Sequence, residues 1–262
     1  MIKMLSYKGQ VAGETRPAYF LRAFEKDVLQ MRILSFARCN FNCPYCKRDG
    51  QRTNADGSIR NAVNVHEDDL LFNAEKAVKT NEVIRLSGGD PVTYPQTSEK
   101  ILKHCKELGG IGSIAHNGSN INFIKKVLPY LDFAAIDIKA ATPEGYAFRT
   151  GLSDRLGHKM LRNSLQIQEI LTNTDVLVDV RTCIFSTTTL EELFRLAEMI
   201  VSAGKVENKF WTIRTYTPVA GCDWRPLSIE TTLQYLHKVK AHFPELKMGI
   251  RTKWKSSGLL FV

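Results

Sequence analysis

Strand-length apolar runs alternate with amphipathic stretches along most of this chain, and that alternation restricts the fold more than any other feature. Residues 28–36, 83–86, 112–115, 133–138, 176–185 and 210–216 are short runs of strand character. Between and after them, residues 67–78, 98–108, 121–131, 159–172, 190–203 and 229–242 carry apolar residues at helical spacing. Within 190–203, for example, Leu190, Leu193, Leu196, Ala197 and Ile200 fall on one helical face. Such alternation predicts repeated βα units and parallel strands. The expected fold is α/β, a partial (β/α)6 TIM-like barrel with parallel strands, as a single domain over residues 1–262. Its core would span about 28–218, after a lead-in over 1–27. Residues 219–262 would add a helix, a possible extra strand at 248–251 and a short apolar end at 258–262. Residues 51–64 are polar, contain glycine and lack periodicity, and are read as a loop.

The chain has 262 residues and 44% hydrophobic content, enough to bury a full core. No apolar run approaches the ~20 residues that span a bilayer, and residues 1–10 lack the apolar region of a signal peptide. A reducing, cytoplasmic location without membrane association is expected. The net charge of +9 favours acidic partners, such as a nucleotide, a phosphorylated substrate or an acidic electron donor. Lys and Arg are scattered rather than massed, which argues against dedicated nucleic-acid binding.

Three of the six cysteines, Cys39, Cys43 and Cys46, lie within eight residues in a Cys-x3-Cys-x2-Cys pattern. A four-iron cluster held by three thiolates leaves one iron open to a substrate or cofactor. Zinc is the competing reading, but it wants four ligands. The nearest histidine is His66, twenty residues on, and no second Cys pair exists. A disulfide framework fits poorly in a long chain that puts half its thiols in one loop. Other polar or Gly-rich clusters follow strand ends: Ser87-Gly88-Gly89, His116-Asn117-Gly118 and Asp137-Ile138-Lys139. In βα barrels that end carries ligand binding, so these loops are expected to form one site. Cys105, Cys183 and Cys222 show no ligand spacing and read as free core or surface thiols, while Trp211, Trp224 and Trp254 read as packing residues. The segment Cys222-Asp223-Trp224-Arg225 is expected near the mouth of the site.

The cysteine loop, with Tyr45 before its last Cys, resembles the cluster loop of the radical S-adenosylmethionine (SAM) superfamily. Gly88-Gly89-Asp90-Pro91 resembles that family's Gly-Gly-Glu-Pro element, with Asp in place of Glu. Asp137-Ile138-Lys139 resembles the Asp-x-Lys signature of enzymes that activate glycyl-radical enzymes. Asn117-Gly118 and Arg181 also stand at matching positions, and the likeness covers about residues 34–218. It is most like the activases of pyruvate formate-lyase and anaerobic ribonucleotide reductase.

The resemblance implies a [4Fe-4S] cluster bound by Cys39, Cys43 and Cys46 with one open iron, and SAM bound on that iron. Reductive cleavage of SAM would give a 5′-deoxyadenosyl radical that abstracts a hydrogen atom, in an oxygen-sensitive, anaerobic enzyme. Tyr45 would lie against the adenine with Phe41 packing the loop, and Gly88, Gly89, Asp90, Asp137 and Lys139 would surround the methionine end. Asn117, Arg181 and His116 are further candidates for contact with SAM or substrate. The implied partners are a one-electron donor such as a flavodoxin or ferredoxin, and a glycyl-radical enzyme. The alternative substrate is a small molecule, nucleotide or peptide in a biosynthetic pathway; a non-catalytic iron–sulfur or zinc module is the third reading. Lys47-Arg48-Asp49 stands where activases have His-Asn-Pro, and Ala115-His116 where they have Asp-Thr. Thr217 follows Arg214-Thr215-Tyr216 near where some activases carry a His. These departures favour the alternative substrate.

Overall fold

The computed structural model describes residues 1–5, 11, 15–46, 62–252 and 258–262. Lys47-Arg48-Asp49, Trp254 and most of the 51–64 loop lie outside the described residues. The packing groups into two compact units.

The first unit comprises Met1–Asn40, Gln51–His116 and Asn120–Ala135. It contains β1 (Ile2–Leu5), β2 (Thr15–Pro17), β3 (Gln30–Phe36), β4 (Ala62–Val65), α1 (Glu67–Lys79), β5 (Val83–Gly88), α2 (Pro95–Glu107), β6 (Ile111–His116) and α3 (Ile121–Val127). Its strands are ordered β4-β1-β3-β5-β6, and β2 also pairs with β3. β3, β5 and β6 are parallel, with Leu34 opposite Leu86 and Phe36 opposite Gly88. Leu34, Phe36, Ile84 and Leu86 are completely buried, as expected for parallel strands covered on both faces. Arg85 sits opposite Ser113 in this register and donates to its Oγ at 2.7 Å.

Two features depart from expectation here. The lead-in contributes β1, antiparallel to β3 and β4, and β2, antiparallel to β3. The end of the expected 51–64 loop enters β4. β4 is an outermost strand with two exposed residues, Val63 and Asn64, so its composition carries little strand signal.

β7 (Phe133–Asp137) begins in the first unit and ends in the second. The second unit comprises Phe41–Gly50, Asn117–Ser119 and Ile136–Val262. It contains α4 (Pro143–Thr150), α5 (Asp154–Thr172), β8 (Leu177–Ile184), α6 (Leu190–Ser202), β9 (Lys209–Thr215), α7 (Ile229–His242), β10 (Lys247–Arg251) and β11 (Leu259–Phe261). β8, β9 and β10 are parallel and β11 closes the order antiparallel to β10. Neither set of strands closes on itself. The fold is thus the expected α/β arrangement of an open TIM-like barrel. No helix among the described residues is long and apolar enough to cross a membrane.

α4 was not anticipated. It has only eight residues, and Phe148 on it is exposed, which blurs its apolar face. Its boundary signals are nonetheless orthodox: the Thr142 side chain accepts from Gly145 N–H at 3.1 Å, Pro143 opens the helix, and Gly151 ends it at φ 66°.

Lys209, wholly buried at the start of β9, donates from Nζ to the carbonyl oxygens of Ile200 and Ala203 at the end of α6. These groups would otherwise be orphaned helix-end acceptors. Lys209→Met keeps the apolar stem and removes the donor. It is expected to lower the unfolding free energy by about 2 kcal/mol. Urea unfolding measures this; an unchanged midpoint would mean that the ammonium does not support the helix end.

Candidate functional site

In the first unit, the site residues sit where β5 turns over Gly88-Gly89-Asp90. Gly88 has φ 102°, and a Cβ there would lie 2.2 Å from the Phe36 nitrogen. At Gly89 a Cβ would lie 1.8 Å from the Arg38 carbonyl oxygen. Both positions therefore require glycine because the turn packs directly on the backbone that leads into Cys39. Gly89 N–H donates to Phe36 O, and Asp90 N–H donates to Arg38 O at 2.7 Å. The Asp90 carboxylate accepts from Val92 N–H at 3.0 Å and lies 2.8 Å from His116 Nδ1. His116 ends β6, and its Nε2 accepts from Asn120 N–H at 3.2 Å.

In the second unit, the chain from Phe41 to Cys46 is held by α4. Asn42 N–H donates to Thr150 O at 3.0 Å. Gly151 comes so close that a Cβ would meet Asn42 O at 2.5 Å. Cys46 N–H donates to Cys43 O at 3.1 Å, which bends the chain between these two cysteines. Tyr45 is buried against Phe185, with centroids 4.9 Å apart, and stacks on Trp224 at 5.5 Å. Trp224 in turn stacks on Phe148 at 5.2 Å. Cys43, Cys183 and Cys222 pack at the edge of this aromatic cluster. Trp224 thus belongs to the wall around Tyr45, and Ser186 N–H donates to Arg225 O at 2.8 Å to pin its loop. Trp211, by contrast, is core, donating from Nε1 to Thr182 Oγ1 at 3.0 Å.

The end of β7 carries the charged part. Asp137 Oδ2 lies 2.6 Å from Lys139 Nζ, and Asp137 Oδ1 lies 3.1 Å from Arg181 Nε. Burial by itself would raise the Asp137 pKa, but Lys139 and Arg181 override it and hold the carboxyl well below the usual range. Burial likewise pulls Lys139 down, yet Asp137, followed by Tyr45, leaves its amine well above the ordinary value. Ile138 N–H donates to Arg181 O at 2.9 Å and Ser164 Oγ donates to Asp137 O at 2.9 Å. Asn117 is buried beside this strand end: its Oδ1 accepts from Ser119 N–H at 3.1 Å, and its carbonyl accepts from Tyr146 OH at 3.4 Å.

Arg214 is a charged neighbour that sequence reading did not single out. It stands opposite Cys183 in the β8–β9 register, two residues beyond the Arg181–Thr212 pair. Alternation therefore puts Arg181 and Arg214 on one sheet face. Burial lowers the Arg214 pKa most, Arg181 lowers it further, and Asp137 opposes both. Its place on the Arg181 face depends on the β8–β9 register, which the local sequence does not contain.

Cys39, Cys43 and Cys46 form no disulfide and are half-buried. Among the described residues, no three His, Cys, Asp or Glu side chains are gathered into a ready-made metal cage. The donor set nonetheless suits an iron–sulfur cluster, because three cysteines outside any disulfide lie in one short loop and metal ligands commonly converge only on binding.

A family model described as the radical SAM superfamily matches residues 33–200, well over half of the chain. The chain belongs to the radical SAM superfamily. It is an enzyme whose cofactors are those of the family, a [4Fe-4S] cluster and SAM. A probable GTP 3′,8-cyclase of Thermococcus kodakarensis is 29% identical over 131 residues, which cover 49% of this chain and 41% of that protein. The match thus spans about two fifths of that relative's length. A protein of Methanocaldococcus jannaschii with the provisional name glycyl-radical enzyme activating enzyme is 26% identical over 55% of this chain and 57% of its own. Among solved structures, Streptococcus suis SuiB bound to SAM superposes with a TM-score of 0.65 at 12% identity, covering 88% of this chain and 53% of SuiB. That likeness is one of fold, and it accords with the open radical SAM barrel described above.

The charge arrangement makes a stability prediction. Asp137→Asn leaves Lys139 and Arg181 without their shared counter-charge and is expected to cost about 3 kcal/mol at pH 7. Because the folded-state pKa of Asp137 is depressed, its contribution is complete above the ordinary carboxylate pKa of about 4. It fades as the pH falls below that value toward the folded pKa. The gap between the wild-type and variant unfolding free energies should therefore narrow from pH 7 to pH 3. Equal gaps at the two pH values would show that the carboxylate charge is not what the cations require.

Thiol reactivity supplies a second test. Burial raises the Cys105 thiol pKa to about 11, with Asp132 adding to it, and the side chain is sealed from solvent. In the metal-free protein, iodoacetamide at pH 8 should label Cys39, Cys43 and Cys46 and leave Cys105 unmodified, as read by peptide mass spectrometry.

Proposed function

We propose that Cys39, Cys43 and Cys46 hold the cluster and that this chain directs a 5′-deoxyadenosyl radical to a hydrogen atom of its substrate. The cluster and SAM supply the one-electron cleavage of the C5′–S bond; the chain binds, orients and excludes water. Lys139 pairs with the carboxylate of SAM, and Arg181 supports it from β8. In the first unit, backbone groups of Gly88 and Gly89 would receive the amino group of SAM; in the second, Asp137 and Asn117 are further candidates for contact with SAM. Tyr45 and its aromatic neighbours form an apolar wall beside the cysteine loop. The observation that carries this reading is Asp137 held ionised between two cations whose donors it uses only in part.

For the substrate, activation of a glycyl-radical enzyme is the first reading, supported by the name of the M. jannaschii relative. A second reading is an acidic small molecule, such as a nucleotide. It is favoured by the positive face of the second unit, where Lys139, Arg181 and Arg214 meet Asp137 and Asp179, and by the likeness to a GTP cyclase. A flavodoxin or ferredoxin would supply the electron.

The test is anaerobic reconstitution with iron and sulfide, reduction in the presence of SAM, and quantification of 5′-deoxyadenosine. Cleavage is expected in the wild-type protein and a loss of at least about 100-fold in Cys43→Ala. A loaded cluster with no cleavage would sink the proposal. With cleavage established, a glycine-centred electron spin resonance signal in an added glycyl-radical enzyme supports the first reading. Turnover stimulated by an added nucleotide supports the second.

A further inference from the structure

The buried pair Asp90–His116 in the first unit has no role in the site as assigned so far. Its side chains are 2% and 0% exposed, so the carboxylate presents almost no surface to a ligand. Its Oδ1 is engaged by Val92 N–H at 3.0 Å and by His116 Nδ1 at 2.8 Å. Because His116 Nε2 accepts from Asn120 N–H, the ring proton resides on Nδ1, directed at Asp90. The imidazole thus connects the carboxylate to the start of α3, where Asn120 also caps the helix by accepting from Phe123 N–H at 2.9 Å. On the other side, the backbone of Asp90 donates to Arg38 O, and Thr93 Oγ1 donates to Asp90 O at 2.8 Å. Asp90 caps the short turn Pro91–Thr93 with its own side chain, a task that suits a one-methylene carboxylate.

We propose that Asp90 and His116 are a matched pair of positioning residues: His116, through Asp90, fixes the Gly88-Gly89 turn against Phe36–Arg38 and so sets where the chain enters the cysteine loop. Asp90 then acts through the backbone it anchors and does not touch SAM. The significance for SAM binding rests on the proposed function above, but the mechanical coupling can be measured on the metal-free protein whether or not that function holds.

The first experiment is hydrogen–deuterium exchange of the metal-free protein, read at the Gly89 and Asp90 amides. His116→Ala should speed exchange there by at least about 10-fold while leaving amides of α7 unchanged. His116→Asn puts an amide donor where Nδ1 stands and should bring the rate back to within about threefold of wild type. Unchanged exchange in His116→Ala, or no rescue by His116→Asn, overturns the proposal. Should His116→Ala fail to fold, the same comparison is made between wild type, His116→Asn and Asp90→Ala. Slow exchange at Gly89 in Asp90→Ala then overturns it.

The second experiment measures SAM affinity of the reconstituted protein by equilibrium binding. Asp90→Ala should weaken binding in the wild-type background and have little further effect in the His116→Ala background, because both changes remove one constraint. If Asp90→Ala weakens binding by the same factor in both backgrounds, Asp90 is an independent SAM contact and the pair is not its means of action. Failure of SAM to bind at all would count against the proposed function, and the exchange result would still decide the coupling.

Discussion

A single carboxylate makes the charged end of the second unit possible. Lys139 and Arg181 are both largely removed from water, and two such cations side by side would repel and incur a large desolvation cost. Asp137 meets each with a different oxygen, so neither cation is left without counter-charge. The surrounding backbone keeps this geometry in place. Ser164 bonds the carbonyl of Asp137, Arg149 donates to the carbonyl of Lys139 at 2.7 Å, and Ile138 bonds across to β8. Arg149 is itself paired with Glu192 on α6 at 2.8 Å. One carboxylate thus offsets one of two positive charges, and a net positive charge remains at this strand end. Arg214 on the neighbouring strand increases that surplus.

Close backbone approach does comparable work for the cysteine loop. In the first unit Gly89 lets the β5 turn lie on the Arg38 carbonyl; in the second, Gly151 lets the end of α4 lie on the Asn42 carbonyl. Neither contact survives a Cβ without a shift of main chain. A Gly-Gly after a strand in a SAM-binding fold invites the reading that ligand access alone demands it. The geometry adds a second demand from within the protein, because the atoms a side chain would strike belong to Phe36 and Arg38.

The βα alternation was legible because most strands and helices bury continuous apolar surface. α7 was bounded correctly at both ends, and the strand beginning near residue 28 ends at Phe36 as read. What escaped was short or partly exposed: β1 has four residues and β2 three, β4 is half exposed, and α4 shows an exposed Phe148. For the site, motif spacing located Asp137 and Lys139, whose closeness follows from strand alternation. It could not reveal that Asp90 and His116 touch. The two positions lie on different strand ends, and each looked like a separate departure from the family pattern: Asp for Glu, and His for Thr. In the structure they meet: the carboxylate that caps its own turn also lies 2.8 Å from the imidazole. Arg214 was missed for a related reason. Its significance depends on the neighbouring strand's register, which no local pattern contains.

The remaining titratable groups of the second unit say what kind of chemistry its residues can support. Burial raises the hydroxyl pKa of Tyr45 well above its ordinary value, and Lys139 only partly opposes this. Burial does the same to Tyr146. Both phenols therefore stay protonated across the physiological range and act as fixed dipoles. Asp137 stays ionised and Lys139 stays charged across that same range. None of these four groups is poised near neutrality, where a general acid or base works best. Side chains that keep one charge state and one position suit a site whose reactivity comes from its cofactors, with the protein holding ligands and keeping out water. The wall of Tyr45, Phe185 and Trp224 serves that end by making the surroundings of Cys43 apolar.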